Sequence, residues 1–269
     1  MMGFDLSQWP FQHLAALAYS LPRIVGVFLV LPLMGKETMP TFLRMALACS
    51  LAIFVMPLLL DQVPVSRSTP EQILVVMKET LLGFLLGFIL SVPLWAVEAM
   101  GDIADVQRGA AISQTLNPMT GHDTSPLGEL FNMAVITFVL VIGGFTAMIG
   151  VLFESYRLWP VFVWWPPLGH DAALVALRIL DHYMLLSVLL ASPVILVMFL
   201  AETGLALLSR FVPQLQVFFL AMPIKSALAM LMFALYAVVL FDHAEGVIRE
   251  TTAGSLSTLN EMLRGMRTP

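Results

Sequence analysis

Hydrophobic side chains are concentrated in six long stretches of the chain, separated by shorter polar connections. A hydrocarbon core takes about 20 helical residues to cross, and these stretches reach or approach that length. They lack the strict alternation of membrane β-strands, and backbone groups in lipid must be satisfied within their own segment, so we predict helices. The predicted segments are 14–34, 43–60, 73–100, 130–153, 183–209 and 215–241.

The predicted organisation is a single helical domain over residues 1–241, followed by a polar C-terminal tail over residues 242–269. We expect no appended soluble domain, because no other long polar region is present. Residues 1–9 contain Asp5 but no Lys or Arg. A secretory signal peptide begins with positive charge, so we expect no cleavable signal here.

Prolines and charged residues interrupt most of the predicted segments. An interior proline removes a helical hydrogen bond and kinks the helix, and an ionised side chain at the bilayer centre costs about 2.5–3.5 kcal/mol on insertion scales. We therefore predict an all-α, polytopic membrane-type fold of proline-broken helical hairpins, whose charges face water or other subunits of a larger assembly. The residues concerned are Pro22, Pro32, Pro57, Pro93, Pro193, Pro223, Arg23, Arg44, Lys78, Glu79, Glu98, Glu202 and Lys225.

The composition of the 269 residues supports a membrane protein and excludes several other classes. Hydrophobic residues make up 59% and charged residues 12%, about half the charged share of a soluble domain, and the mean hydropathy is +0.91. Thirteen Lys and Arg against 18 Asp and Glu argue against a nucleic-acid binder. Cys49 is the only cysteine, which excludes an internal disulfide and Cys-type zinc or iron–sulfur sites.

No catalytic, cofactor-binding or metal-binding pattern is present in the sequence. The five histidines are far apart, and neither a H-E-x-x-H motif nor a G-x-S-x-G motif occurs. A phosphate-binding glycine loop is also missing. We therefore expect a protein that is not an enzyme. The histidines are His13, His122, His170, His182 and His243.

One helical face near the middle of the chain carries three carboxylates. Glu98, Asp102 and Asp105 are spaced at i, i+4 and i+7, so they share a face that points to water, to cationic partners or to a pore. The following residues, 109–121, are small, polar and rich in turn signals. This stretch is either an extramembrane loop or a re-entrant segment that occludes a pore, since irregular backbone at membrane depth needs protein or water beside it.

Arg210 and Lys225 flank a segment that is bounded by Pro213 and Pro223. Kinks at such prolines expose backbone carbonyls that a cation can satisfy, so we predict that both side chains have structural roles in assembly. The alternative is that they snorkel to the membrane interface.

Several motifs resemble, in their order along the chain, the SctT family of the type III secretion export gate. This family is also called SpaR, YscT or HrcT, and its flagellar relative is FliR. The Gln-Arg-Gly and Ser-Tyr-x-Leu-Trp-Pro forms resemble the injectisome branch more than the flagellar one. The motifs are Glu98-Ala99, Gly101-Asp102, Gln107-Arg108-Gly109, Asn117-Pro118, Ser125-Pro126-Leu127-Gly128, Ser155-Tyr156-Arg157-Leu158-Trp159-Pro160, Ser209-Arg210-Phe211-Val212-Pro213-Gln214 and Met222-Pro223-Ile224-Lys225.

The resemblance implies a pore-forming structural subunit of the bacterial inner membrane, in a helical complex that projects to the periplasmic side. Its implied partners are about five R-type and about four S-type subunits arranged around a pore, together with a U-type switch protein and a V-type export gate protein. Unfolded secreted proteins would pass through the complex. The family has no cofactor and no catalytic residues.

The resemblance also implies a pore plug over residues 107–121, where the family carries the loop that closes the pore. Small residues permit movement, some apolar side chains would seal the pore, and polar ones would hold the closed position. The plug candidates are Gln107, Arg108, Gly109, Ile112, Leu116, Asn117 and Met119.

A secondary transporter is the alternative function. Its binding site would lie at broken helices around Pro93 and Pro193, with Glu202 or Lys225 as the charged group. Such a fold is expected to contain inverted repeats, and the two halves of the chain show no convincing correspondence.

Overall fold

The computed structural model describes residues 9–35, 38–60, 62–63, 69–110, 125–163, 172–211 and 217–264. Within these ranges the chain is all-α and contains no strand. We number its helices α1 (Trp9–Val30), α2 (Thr41–Leu60), α3 (Thr69–Arg108), α4 (Pro126–Val141), α5 (Gly144–Leu158), α6 (Ala172–Phe211) and α7 (Val217–Arg264). A short 3₁₀ helix covers Pro32–Met34.

Five helices are long and apolar enough to cross a membrane, and the pair α4 and α5 would together make a sixth span. The all-α, multi-pass membrane fold predicted from the hydrophobic pattern is thereby confirmed. In the described residues, each predicted segment lies almost entirely on helix. Most helices extend beyond the predicted apolar stretch at one end or at both ends.

The largest extension is at the end of α7, which runs without interruption through the first part of the segment predicted as a tail, to Arg264. The hydrophobic pattern did not predict this continuation of the helix, because the exposed positions of the helix there are largely polar. Its buried positions, Ala244, Ile248, Thr252 and Ser255, recur every three or four residues and form one helical face.

The helix break in the 130–153 stretch comes at a glycine. Gly143 separates α4 from α5 with φ +75°, a left-handed conformation that favours glycine. In contrast, Pro22, Pro57, Pro93 and Pro193 lie inside helices that continue past them, as does Pro223. Membrane-type helices tolerate such prolines because neighbouring groups satisfy the freed backbone.

The chain divides into two compact units. Unit 1 comprises Met1–Ser91, Gly143–Leu177 and Glu250–Pro269, and unit 2 comprises Val92–Ile142 and Arg178–Arg249. Helices α3, α6 and α7 each contribute to both units.

In unit 1, α1 packs on α2 and crosses the first half of α3 at very short range. A Cβ atom on Gly83 would lie 2.1 Å from the carbonyl oxygen of Arg23, so only glycine permits this approach. In unit 2, α4 packs against α7 through aromatic pairs, with ring centroids 4.6 Å apart for Phe131 and Phe233 and 5.1 Å apart for Phe138 and Phe241.

Candidate functional site

The end of α3 and the start of α4 meet in unit 2 and form the base of the segment that contains the predicted plug. Their backbones touch, because a Cβ atom on Gly101 would lie 2.6 Å from the backbone nitrogen of Gly128. A Cβ atom on Gly128 would in turn lie 2.0 Å from Oδ1 of Asp102. Both glycines belong to motifs that carry the family resemblance. Those motifs therefore mark a place where two helices need small residues to approach closely.

Asp105 ties the two sides of this base together. Its Oδ2 accepts hydrogen bonds from Oγ of Ser125 at 2.6 Å and from the backbone nitrogen of Leu127 at 2.8 Å, and its Oδ1 accepts one from Nε of Arg108 at 2.6 Å. Ser125 is the N-cap of α4 and accepts from the backbone nitrogen of Gly128. A carboxylate at the positive end of a helix stabilises that end, so Asp105 extends the cap.

A second contact fixes the end of α3 within unit 2. Nε2 of Gln107 donates a hydrogen bond of 3.1 Å to the backbone carbonyl of Ile195 in α6. Gly109 follows with φ +87° as α3 ends. The end of α3, at the start of the predicted plug, is therefore held by both α4 and α6.

The predicted plug residues fall on both sides of the limit of the described chain. Gln107, Arg108 and Gly109 lie in the described base. Ile112, Leu116, Asn117 and Met119 lie outside the described residues. In the described base, Gln107 bonds to α6 and Arg108 bonds to Asp105.

The three carboxylates of the predicted acidic face differ in their surroundings. Asp102 is exposed and Glu98 is partly buried, whereas Asp105 is buried and engaged by Arg108 and Ser125. Asp105 therefore has a structural role in the protein interior that its helical spacing did not reveal. Among the described residues, no group of three or more His, Cys, Asp and Glu side chains is suited to hold a metal ion.

The two predicted assembly residues also differ. Arg210 is exposed one residue before α6 ends. Lys225 is buried in α7 and pairs with Glu202 of α6, with 3.1 Å between Nζ and Oε2. The pair joins the two long helices of unit 2.

A charge cluster in unit 1 was not predicted from the sequence. Nε of Arg23 donates to Oε2 of Glu79 at 2.7 Å, and the two side chains are 1% and 0% exposed. Nζ of Lys78 lies 2.9 Å from Oε1 of Glu79 as an ion contact, although no hydrogen bond reaches that oxygen. Two cations thus share one carboxylate in a buried site.

Backbone carbonyls at and after the end of α5 accept hydrogen bonds from both cations of this cluster. Arg23 donates to the carbonyl oxygens of Ser155 at 2.7 Å and Trp159 at 2.9 Å. Lys78 donates to those of Val161 at 2.6 Å and Val163 at 2.9 Å. The C-terminal end of a helix carries a partial negative charge, so cations are stabilised there.

The aromatic side chains of the Ser155–Pro160 motif also contact the two cations of this cluster. The ring of Tyr156 lies 4.3 Å from the Arg23 guanidinium carbon, and its hydroxyl donates to the backbone carbonyl of Ser20. Trp159 lies under Lys78, with 5.8 Å between Nζ and the ring centroid. The resemblance motif is thus a docking site for two buried cations.

These contacts correct one expectation from the sequence. Arg23, Lys78 and Lys225 were expected to face water or other subunits, but each has a charged partner within the chain itself. The sequence signalled that these charges need partners. For Arg23 and Lys225 the sequence did not indicate which residue is the partner, because Glu79 is 56 positions from Arg23 and Glu202 is 23 positions from Lys225.

Comparison with known proteins agrees with the motifs. The model of the family described as Bacterial export proteins, family 1, matches residues 14–251. Yop proteins translocation protein T of Yersinia pestis is 39% identical over 241 residues, which cover 89% of this chain and 91% of the relative. Surface presentation of antigens protein SpaR of Salmonella typhimurium is 34% identical over 223 residues, 82% of each chain.

A flagellar protein is similar at a lower level. Flagellar biosynthetic protein FliR of Bacillus subtilis is 25% identical over 242 residues, which cover 90% of this chain and 92% of the relative. The family match extends over both units and includes the base around Asp105 and the cluster around Arg23. This multi-pass membrane protein therefore belongs to bacterial export protein family 1, the SctT/FliR family.

Proposed function

We propose that the protein is a structural, pore-forming subunit of a type III secretion export gate, through which unfolded substrate proteins cross the bacterial inner membrane. The observation that carries the proposal is the 39% identity to Yop proteins translocation protein T, which covers nearly all of both chains. The higher identity to this protein and to SpaR than to FliR favours the injectisome branch. In this role the chain performs no catalysis of its own.

The exposed surface of α6 supports a role inside a larger complex. Large apolar side chains are exposed on this helix within unit 2 from Leu180 to Phe211, a length of about 46 Å at 1.5 Å per residue. A hydrocarbon core of about 30 Å does not cover that length, even for a helix tilted by about 40°. Part of this face needs protein cover, which R-type and S-type subunits of a complex projecting to the periplasmic side would supply.

We also propose that residues 107–121 plug the resting pore. The contacts of Asp105 and Gln107 support this role, because a plug needs a fixed base. A gate that admits unfolded chains must hold back ions at rest, so its seal has to be displaceable.

The plug is tested by deleting residues 112–116 in the complete gate. We expect the assembled gate to leak ions, because the shortened segment no longer fills the constriction. The measurements are single-channel conductance of the purified complex and growth inhibition of the producing cells. Deletion of residues 265–269, which removes the same number of residues outside the predicted plug, is the control. An assembled, ion-tight complex with the 112–116 deletion would contradict the plug.

The assembly roles of Arg210 and Lys225 both remain predictions, and Arg210 is the one of the two that is exposed. It is exposed at the end of α6, with Phe211 beside it also exposed. We propose that Arg210 contacts a neighbouring subunit. We expect recovery of the complex to fall in Arg210→Ala. If Arg210→Lys instead restores recovery, snorkelling to the membrane interface is favoured, because snorkelling needs only a long cationic side chain.

A further inference from the structure

Helix α1 is the least apolar of the candidate membrane spans. Its span, Gln12–Val30, has the lowest mean hydropathy of the five single helices in the described chain that are long enough to cross a membrane. Ser20, Pro22 and Arg23 lie near the middle of this span. An ionised side chain is most costly at the centre of the bilayer. By its own sequence, α1 is therefore a marginal membrane helix.

The structure offsets this cost by binding Arg23 to other helices of unit 1. The Arg23 side chain is 1% exposed, and its Nε donates to Glu79 of α3 at 2.7 Å. Its two terminal nitrogens donate to the backbone carbonyls of Ser155 at 2.7 Å and Trp159 at 2.9 Å. Each nitrogen of the guanidinium thus has an acceptor, and these three acceptors all lie outside α1 and α2.

These acceptors are made late in the synthesis of the chain. Glu79 follows Arg23 by 56 positions, and Ser155 and Trp159 follow it by 132 and 136 positions. Trp159 lies one residue past the end of α5, where carbonyl oxygens are no longer used by helical hydrogen bonds. The growing chain therefore completes the site for Arg23 only when α5 has been made in full.

The balance of charge makes α1 the dependent member of the cluster. Helix α3 contributes Lys78 as well as Glu79, with 2.9 Å between Nζ and Oε1, so its two charges cancel. Helix α1 contributes Arg23, which is a net positive charge. The carbonyls at and after the end of α5 accept from both cations, including Lys78 through Val161 at 2.6 Å. Helix α1 thus needs the other two segments to neutralise and satisfy its charge.

We infer that α1 is a conditional membrane helix, which holds its place in the membrane only while Arg23 is bound to Glu79 and to the carbonyls at the end of α5. When these acceptors are missing, α1 leaves the apolar surroundings for water. Although α1 comes first in the chain, it takes its final place after α3 and α5.

A thiol in α1 reports whether the helix is in place. Ala18 is exposed within the span, so Ala18→Cys with Cys49→Ser gives a reporter chain with a single cysteine there. Lipid or protein shields this thiol from a water-soluble maleimide, which reacts with the thiolate in water. In cells that produce all the apparatus subunits, Glu79→Ala should raise the labelling rate about tenfold, the change that 1.4 kcal/mol produces. Adding Arg23→Leu to Glu79→Ala should restore slow labelling, because α1 then has no charge to bind.

Ser91→Ala is the control for a lost polar contact that leaves no unpaired charge. Ser91 of α3 is buried, and its hydroxyl donates to the backbone carbonyl of Val30 in α1 at 3.3 Å. We expect slow labelling in this variant. Rapid labelling of the reporter chain itself, of the Ser91→Ala variant or of the double variant would overturn the inference, and so would slow labelling of Glu79→Ala.

The order of insertion is measured on the reporter chain with Glu79 in place, which also decides the matter if Glu79→Ala is degraded. In chains labelled during a short pulse of synthesis, the thiol should stay reactive until α5 is complete, whereas Arg23→Leu should shield it earlier. Arg44→Leu is the control, because Arg44 donates to the carbonyl of Met34 only ten positions away, and its timing should match the reporter chain. Equal timing in the reporter chain and in Arg23→Leu would overturn the inference.

Discussion

Glu79→Ala is expected to destabilise unit 1 by about 3–5 kcal/mol, the usual effect of removing one partner from a buried ion pair. Glu79 is the only carboxylate near the two buried cations Arg23 and Lys78 in the described contacts. Its loss removes the carboxylate that both cations contact in the buried cluster. The measurement is the amount of folded chain recovered from membranes in which the other apparatus subunits are also produced, together with the temperature at which the complex loses the chain.

Glu154→Ala provides the comparison for this variant. It breaks the exposed pair with Arg157, and exposed pairs contribute about 0–1 kcal/mol. Glu79→Gln keeps an acceptor for the Arg23 hydrogen bond but loses the charge, so we expect an intermediate effect. Equal recovery of the Glu79→Ala and Glu154→Ala variants would show that the buried cluster does not stabilise the fold.

Gly83→Ala is expected to force α1 and α3 apart. The new Cβ atom would lie 2.1 Å from the carbonyl oxygen of Arg23 and 2.9 Å from its carbonyl carbon. Both atoms are backbone, so the helices themselves must move, and overpacking of this kind costs about 1–3 kcal/mol or more. The shift would also disturb the Arg23–Glu79 contact. We expect a lower melting temperature of the complex.

Gly150→Ala is the control for the change from glycine to alanine within a helix. An added Cβ there has no other atom within 4 Å, so the higher helix propensity of alanine should stabilise the chain by about 0.5–1 kcal/mol. The two variants should therefore shift the melting temperature in opposite directions. A Gly83→Ala complex as stable as the unchanged one would contradict the close crossing of α1 and α3.

The helices and the family motifs could be predicted from the sequence because both are local patterns. Apolar stretches identified the positions of the long helices in the described residues, and Glu98, Asp102 and Asp105 all lie on one of these helices, α3. The end of α7 was not predicted as helix because its buried face, apart from Ile248, is made of small and hydroxyl residues. A helical face made of small and hydroxyl residues does not produce a recognisable hydrophobic pattern in the sequence.

The partners of charged residues that lie far away along the chain could not be predicted, since such pairing depends on tertiary contacts. Arg23 and Glu79 are 56 positions apart, and Asp105 reaches Ser125 across 20 positions. Residue types indicate that a buried charge needs a partner, but many residues of suitable type are available. The helix break at Gly143 is similar: a glycine permits a left-handed backbone without requiring it.

The central claim is that this chain functions as one subunit of a multi-subunit export gate. Its most direct test is the native mass of the detergent-extracted complex when the chain is produced with its neighbouring membrane proteins. We predict a single copy of this chain bound to several R-type and S-type subunits, and degradation or aggregation when the chain is produced alone, because its apolar faces then remain uncovered. A monodisperse, stable monomer that binds none of these subunits would contradict the claim and favour a transporter that acts by itself.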